Sequence, residues 1–252
     1  MPHHLIHFYN VLRGLRDNRG YEFAKHHHQT TKPKTNPINL IHMNNPKKTI
    51  HYFIVADRSG SMSDQIDEVR QELFHHVREM KKTVLEKDVA VRFHLSLFDS
   101  EIEWLSSGTL IQDFDSELIE RYVPGGMTAL FDAVGQAIER AEYKIGSDID
   151  PEREEVAIMV FSDGGENASQ KFHSTSLSAL IEHVQHKPGW TITFTGCDAA
   201  GFSDIERSSL RKDRMLRYKG TEKSLAFKNM MHVINRSVSE DDFIYKKPFT
   251  KE

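Results

Sequence analysis

Two short apolar runs constrain the fold of this chain more than any other feature of its sequence. The runs are TIHYFIVA at 49–56 and VAIMVF at 156–161, and both are rich in β-branched residues. Such runs are typical of strands that are buried on both faces, as in the centre of a parallel sheet. Parallel strands need long crossover connections, which are usually helices. We therefore predict a parallel sheet with these two runs near its centre.

Strand-like and helix-like segments alternate through the chain from residue 49 onward. A long helix is predicted where apolar residues recur at spacings of three and four, at Ile66, Val69, Leu73, Val77, Met80 and Val84. VAVRFHLSLF at 89–98 alternates apolar and polar residues, so this strand is predicted to lie off the sheet centre. The later elements are helices near 128–141, 177–184 and 224–234 and a strand at 190–197. The alternation predicts an α/β fold with a doubly wound, mostly parallel central sheet and helices on both faces.

Residues 1–48 differ in composition from the rest of the chain. They hold eight arginine and lysine residues against only Asp17 and Glu22, and the stretch HHHQTTKPKTNPIN has no core-forming periodicity. We expect a basic, His-rich, disordered extension at 1–48, a folded domain at 49–240 and a C-terminal tail at 241–252. A translation start at Met43 is an open alternative, because it would put a short polar lead directly before the first strand.

The composition excludes several classes of protein. The formal net charge is -4 and the pI is about 6.4, so no overall positive field exists to hold nucleic acid or an anionic membrane. Cys197 is the single cysteine, which excludes an internal disulfide and a Cys-rich zinc site. No apolar run approaches transmembrane length, and the N-terminus lacks the apolar core of a secretory signal. We expect a cytoplasmic protein without a membrane partner.

The loop after the first apolar run carries a D-x-S-x-S motif. In DRSGSM, the residues Asp57, Ser59 and Ser61 follow a predicted parallel strand, and ligands collect at the carboxyl ends of such strands. Alternate residues of a tight loop can point to one side, and Gly60 permits the turn. One carboxylate and two hydroxyl oxygens can then converge on a hard cation such as Mg²⁺. The motif alone is a weak signal, because it also occurs by chance.

Two later segments offer further oxygen ligands. VPGGMTALFDAV delivers Thr128 to the start of a predicted helix, where threonine is also a common N-cap. IMVFSDGGENAS places Asp163 directly after the second apolar run, where Asp-Gly is also a common turn. Each residue by itself therefore has an ordinary structural explanation.

The order and placement of the three segments resemble those of von Willebrand factor A-type (vWA) domains. The resemblance runs from about Thr49 to about Val238 and is strongest to small bacterial and phage-associated vWA proteins, whose third loop is similar to DGxENAS. It implies a doubly wound, Rossmann-like sheet with a metal-ion-dependent adhesion site formed by three loops at one edge. The matching residues are Asp57, Ser59 and Ser61 in the first loop, Thr128 in the second and Asp163 in the third.

The resemblance also implies a role for each of these residues. Ser59 and Ser61 would bind the metal directly, and Thr128 and Asp163 would bind it directly or through water. Asp57 would act through water or through hydrogen bonds to the serines. We expect Mg²⁺, with Mn²⁺ and Ca²⁺ as alternatives, and an open coordination position that takes an Asp or Glu from a partner protein.

The leading functional hypothesis is a divalent-cation-dependent protein-binding module. One alternative is a nucleic-acid-associated protein, which would depend on the basic segment 1–48 alone. Another is a metal-dependent hydrolase that uses the cation as a Lewis acid. No motif for a general base accompanies the three loops, so we predict no catalytic residues and no enzymatic activity.

Several other polar residues have structural explanations. Glu166 and Asn167 follow Asp163 closely enough to adjust the rim of the site, but we interpret them as simple loop residues. His75 and His76 are adjacent on the long helix, so they point in different directions and are both expected to be exposed. Cys197 is expected to be a small buried residue.

Overall fold

The described part of the chain forms one six-stranded sheet with helices on both faces. The computed structural model describes residues 46–146, 148–196 and 199–217. The strands are β1 (Lys48–Asp57), β2 (Val89–Phe98), β3 (Ile102–Leu110), β4 (Glu154–Phe161), β5 (Trp190–Gly196) and β6 (Met215–Arg217). The helices are α1 (Ile66–Glu86), α2 (Leu130–Ile145), α3 (Ser174–Gln185) and α4 (Ala199–Arg207).

The strand order is β3-β2-β1-β4-β5-β6. All neighbouring strands are parallel except β2 and β3, which form an antiparallel pair. The predicted doubly wound, mostly parallel fold is therefore confirmed. The position of β2 beside the edge strand also agrees with its alternating pattern.

The centre of the sheet is apolar on both faces, as the two runs predicted. In β1, Tyr52 and Ile54 belong to the core under α1, whereas Phe53 and Val55 belong to the core under α2 and α3. The second run is β4, and all of its residues except the first are buried. Burial of two faces explains why neither strand alternates between apolar and polar residues.

Helix α1 buries the predicted apolar stripe and one histidine as well. Val69, Leu73, Val77, Met80 and Val84 are all buried. The expectation of an exposed His76 is wrong, because its side chain is only 1% exposed and its Nε2 lies 2.9 Å from the hydroxyl of Tyr52. His76 lies three residues after Leu73, which places it on the buried face of the helix. His75 is exposed, as predicted.

Helix α2 packs closely on the sheet through small residues. Ala133, Ala137 and Ala141 are buried against it. At Gly135 an added Cβ would lie only 2.6 Å from the ring of Phe172, so this position has no space for a side chain. The close packing joins α2 to the segment that connects β4 with α3.

Some elements were not predicted, and some predictions lie outside the described residues. β3 and β6 were missed, since β3 is an edge strand with few buried residues and β6 has only three residues. The predicted helix at 224–234, Cys197, the tail and nearly all of the extension at 1–48 lie outside the described residues. Within the described ranges, no helix is long and apolar enough to cross a membrane.

The strand order creates a topological switch point at the carboxyl ends of the central strands. β2 and β3 lie on one side of β1, and β4, β5 and β6 lie on the other. The chain therefore crosses from one side of β1 to the other between β3 and β4. In open α/β sheets, ligands bind at such a switch point. Here the loops that follow β1 and β4 meet the loop that precedes α2.

Candidate metal centre

Asp57 is the last residue of β1 and is fully buried. Its Oδ1 accepts a hydrogen bond from the Ser59 backbone N–H at 2.7 Å, and its Oδ2 accepts one from the Ser162 hydroxyl at 2.5 Å. Burial raises the pKa of Asp57 to about 6, and nearby Asp163 adds to this shift, although the hydrogen bonds from Ser162 and Ser59 oppose it. A buried carboxylate with a raised pKa gains from a nearby cation.

The two serines of the first loop form a continuous path to the third loop. Ser59 is buried, Ser61 is exposed, and their hydroxyl oxygens lie 3.0 Å apart. The Ser61 hydroxyl also donates to Asp163 Oδ1 at 2.9 Å. Neighbouring ligands of an octahedral Mg²⁺ lie about 3.0 Å apart, given bonds of about 2.1 Å. The spacing of these three oxygen atoms therefore fits adjacent positions around such an ion.

The hydroxyl of Thr128 lies beside the same group of oxygens. A Cβ added to Gly164 would lie 3.0 Å from Thr128 Oγ1 and 3.4 Å from Ser61 Oγ, so both hydroxyls adjoin this glycine. The N-cap of α2 is Ala129. The alternative explanation of Thr128 as the N-cap is therefore wrong, and its buried hydroxyl is not used to cap α2.

Asp163 lies just beyond β4 and joins the first and third loops. Its Oδ1 accepts from Ser61, and its Oδ2 accepts from Gln65 Nε2 at 2.7 Å. The other amide atom of Gln65, Oε1, is buried and has no hydrogen-bond partner among the described residues. The Oε1 of Gln65 is therefore a further oxygen acceptor on a side chain that contacts Asp163. Gln65 was not a candidate in the sequence, since no motif marks it.

Backbone hydrogen bonds hold the second loop against the first. The Gly125 N–H donates to the Arg58 carbonyl at 2.9 Å, and the Gly60 N–H donates to the Gly126 carbonyl at 3.2 Å. Gly126 has a φ of 68°, in the left-handed region that favours glycine. The Pro-Gly-Gly turn thus brings Thr128 to the switch point.

Asn167 and Glu166 join the second and third loops, so they are more than the simple loop residues we predicted. The Thr128 N–H donates to Asn167 Oδ1 at 2.7 Å, and the Asn167 N–H donates to the Thr128 carbonyl at 3.0 Å. The Glu166 carboxylate accepts from the N–H of Phe131 in α2 and from the N–H and hydroxyl of Ser169. The polar sequence after Asp163 was the available signal for this role.

The positive charge nearest in sequence to the serines is directed elsewhere. Arg58 forms ion pairs with Asp99 at 2.9 Å and with Glu103 at 2.6 Å. Its guanidinium is thereby neutralised by acidic residues around the β2–β3 turn. Among the described residues, Arg58 therefore forms no ion pair with Asp57 or Asp163.

The donor set suits a hard cation. Among the described residues, no group of three or more His, Cys, Asp or Glu side chains could hold a metal ion. A metal at this place would have to use hydroxyl oxygens together with the Asp163 carboxylate, because both oxygens of Asp57 already accept hydrogen bonds. Oxygen-only ligands fit Mg²⁺, Mn²⁺ or Ca²⁺ better than softer metals. The structure brings all five sequence candidates to one place.

Solved structures with the same fold are numerous, although their sequences are distant. The vWF domain of the type V pili tip protein Mfa5 from Porphyromonas gingivalis aligns with a TM-score of 0.58 and 13% identity, over 79% of this chain and 99% of that chain. Proximal thread matrix protein 1 from the mussel byssus aligns with a TM-score of 0.56 and 16% identity, over 75% of this chain and 49% of that chain. The PilB minor pilin from Streptococcus sanguinis aligns with a TM-score of 0.55 and 13% identity, over 77% of this chain and 63% of that chain.

These similarities show the fold of a vWA domain. The chain spans about half the length of the mussel protein and less than two thirds of the pilin. One structure of the mussel protein is described as having a zinc-occupied MIDAS motif, the usual short name for a metal-ion-dependent adhesion site. No protein-family model matches this chain, and no curated protein sequence matches it either.

Proposed function

We propose that this chain is a divalent-cation-dependent protein-binding module. In this proposal Mg²⁺ is held by Ser59, Ser61, Thr128 and Asp163, and Asp57 orients the first loop. The observation that carries the proposal is the path of oxygen atoms from Ser59 through Ser61 to Asp163, with separations of 3.0 and 2.9 Å. These atoms lie at the switch point of a fold in which ligands bind at such points.

The hydrogen bonds of Asp57 support an indirect role for this residue. Its two oxygens already accept from Ser59 and Ser162, so it fixes the backbone and third loop around the ligands. Asp163 would then be the one carboxylate that contacts the ion, beside neutral hydroxyls. A divalent ion with so few anionic ligands keeps a net positive charge and gains from another carboxylate.

We propose an Asp or Glu of a partner protein as that further ligand. The zinc-occupied MIDAS motif of the mussel protein supports metal binding by this fold, and the pilus proteins with this fold support a role in contacts between proteins. The partner is proposed to be a protein rather than a nucleic acid, because a carboxylate is the ligand that such an ion lacks. A cytoplasmic location stays a prediction from the sequence.

We propose no enzymatic activity. The groups that could attack an ester are the serine hydroxyls, and the carboxylate that could activate them is Asp163. The same atoms would be ligands of the cation, so a bound cation would leave neither the nucleophile nor the base free to react. Phosphatase turnover on a generic ester that is lost in Asp163→Ala would contradict this proposal.

The test is calorimetric titration of Mg²⁺ and Mn²⁺ into the metal-stripped full chain. We expect saturable one-to-one binding that is lost in the Ser59→Ala, Ser61→Ala double variant. Ser63→Ala is the matched control, because its hydroxyl lies in the same turn but, among the described residues, donates only to the Gly60 carbonyl. A second titration includes an excess of a Gly-Asp-Gly peptide to supply the partner's carboxylate. The proposal fails if folded wild-type protein binds neither ion in either titration.

A further inference from the structure

A group of cations from β2 and from helix α2 surrounds the segment Ser107–Gly108 of β3, far from the candidate metal centre. Arg140 Nη1 donates to Ser107 Oγ at 2.8 Å, and Lys144 Nζ donates to the carbonyl and hydroxyl of Ser107 at 2.9 and 3.0 Å. Arg92 Nη1 donates to the Gly108 carbonyl at 3.4 Å. Arg92, Arg140 and Lys144 are called the basic cluster below. In β2, Arg92 lies six residues before Phe98, the partner of Asp57, which is about 20 Å along the strand.

The cations of the basic cluster have no carboxylate partner among the described residues, and the Arg140 guanidinium instead lies over the Trp104 ring, with its Cζ 4.3 Å from the ring centroid. Other lysines near α2 do have such partners, since Lys171 pairs with Glu139 and Lys187 pairs with Glu142. Three cations around one short segment repel each other, so an anion placed among them would be stabilised.

A buried histidine below the cluster supports the same conclusion. His94 is 1% exposed, its ring stacks on Phe53 with centroids 3.8 Å apart, and neither ring nitrogen has a hydrogen-bond partner in the part of the chain that the structure describes. A Cβ added to Gly108 would lie 3.2 Å from His94 Cε1 and 3.5 Å from Nε2, so this edge of the ring faces Gly108. Buried polar atoms without a partner are uncommon and need an explanation.

The electrostatic effect of the cluster reaches this histidine. Burial lowers the pKa of His94 to about 3, and His51, Lys144, Arg140 and Arg92 contribute to the shift in that order. The three cations are therefore close enough to act on the ring. An anion at the cluster would offset that effect.

We propose that the basic cluster is a binding site for a phosphoryl group, either as free phosphate or as a phosphomonoester. Two guanidinium groups and one ammonium match a tetrahedral anion with several acceptor oxygens, because guanidinium donors form paired hydrogen bonds to phosphate. A phosphomonoester carries between one and two negative charges near pH 7, which suits three cations better than the single charge of a carboxylate. The Ser107 hydroxyl accepts from Arg140 and Lys144, so its own hydrogen can be donated to the ligand.

The test is a titration of the metal-stripped full chain with inorganic phosphate at constant ionic strength, followed by NMR of the histidine rings. Removal of metal prevents phosphate from binding to a cation at the candidate metal centre. We expect the His94 ring signals to shift and saturate, whereas those of His76, in the core under α1, stay unchanged. An equal shift with chloride would overturn the proposal, because it would show only screening of charge.

Two double variants localise the effect. Arg140→Gln with Lys144→Gln should weaken phosphate binding by roughly tenfold or more, since it removes charge-assisted hydrogen bonds. Lys82→Gln with Lys87→Gln is the matched control, because both lysines are exposed and flank the α1 face of the sheet. If the first double variant is destabilised, Arg92→Gln replaces it, since this exposed side chain makes one long hydrogen bond. Unchanged affinity in the cluster variants would overturn the site.

A parallel titration with phosphoserine identifies the source of the phosphoryl group. Tighter binding of phosphoserine than of inorganic phosphate would support a group carried by another molecule. Tighter binding of inorganic phosphate would support free phosphate as the ligand. Absence of saturable binding of both ligands would overturn the proposal.

Discussion

Asp57 and His94 are both buried polar residues of the same sheet, but their surroundings differ. Both oxygens of Asp57 accept hydrogen bonds, from Ser59 and Ser162, whereas neither nitrogen of His94 has a hydrogen-bond partner among the described residues and its ring stacks on Phe53. Burial is the largest cause of both pKa shifts, to about 6 and about 3. Burial alone therefore does not define a metal centre. The donors around Asp57 orient it, and this orientation distinguishes the candidate metal centre.

The largest expected effect concerns Asp57. We expect Asp57→Asn to weaken Mg²⁺ binding by about 100-fold, because residues that orient ligands typically contribute 10- to 100-fold and this one holds two loops. Calorimetry on folded, metal-stripped protein measures the change. An affinity within threefold of wild type would contradict the role given to the two hydrogen bonds of Asp57.

The next largest effect is that of His94 on the pH dependence of the free energy of unfolding. His94 has a folded-state pKa of about 3 against an unfolded value of 6.5, so the unfolded chain binds more protons between these pH values. The contribution of the neutral His94 ring to the free energy of unfolding is complete above pH 6.5 and is lost as the pH falls from 6.5 towards 3. The loss is about 2 kcal/mol at pH 5. After burial, the groups that lower the pKa of His94 are His51, Lys144, Arg140 and Arg92, in that order.

Urea unfolding of wild type and His94→Phe at pH 7 and pH 5 measures this contribution. The variant cannot take up a proton at this position, so its stability should fall by about 2 kcal/mol less between the two pH values. Both proteins are measured without divalent ions and without phosphate. Parallel losses in the two proteins would show that His94 is not held neutral by burial.

Asn167 should have a smaller effect on the metal centre than Asp57. Asn167→Ala removes the acceptor of the Thr128 N–H and should weaken Mg²⁺ binding by about tenfold, because one ligand is then less well positioned. Asn167→Asp keeps an acceptor at the same atom and should retain most of the affinity. If both variants bind Mg²⁺ as wild type does, the pairing of Thr128 with Asn167 does not position the ligand.

The smallest expected effect is that of a His94 substitution on the Mg²⁺ affinity of the candidate metal centre. His94→Phe should leave the Mg²⁺ affinity within about twofold of wild type, since His94 contacts none of the five candidate ligands. It should also leave stability at pH 7 unchanged or slightly raised, because it replaces two unpartnered nitrogens with apolar atoms. A large loss of Mg²⁺ binding would show that the two regions are coupled.

The sequence predicted most of the fold because the signals are local. The spacing of apolar residues defined α1, and the continuous apolar runs defined β1 and β4. His76 was misjudged because a polar residue was assumed to be exposed, although its spacing from Leu73 and Met80 places it on the buried face, where its ring contacts Tyr52. β3 was missed because an edge strand with few buried residues carries little of this periodicity.

The five candidate ligands were chosen from motifs and from the order of the loops. Motifs name the residues that contact a ligand, but they do not name the residues that hold them. Ser162, Gln65 and Asn167 make their contacts with residues that are distant in the sequence. Only Asn167 had a local signal, the polar stretch after Asp163, and that signal was also compatible with an ordinary loop.

The sequence by itself determined the alternating elements and the polar residues at the ends of the strands, because periodicity and turn residues act over a few positions. Only the tertiary structure decided which of these residues meet. Ser61 and Asp163 are 102 residues apart in the chain, and their contact depends on the register of β1 with β4. That register pairs Ala56 with Phe161, so the next residues, Asp57 and Ser162, lie side by side. Register is set by packing of the whole sheet, which no local pattern specifies.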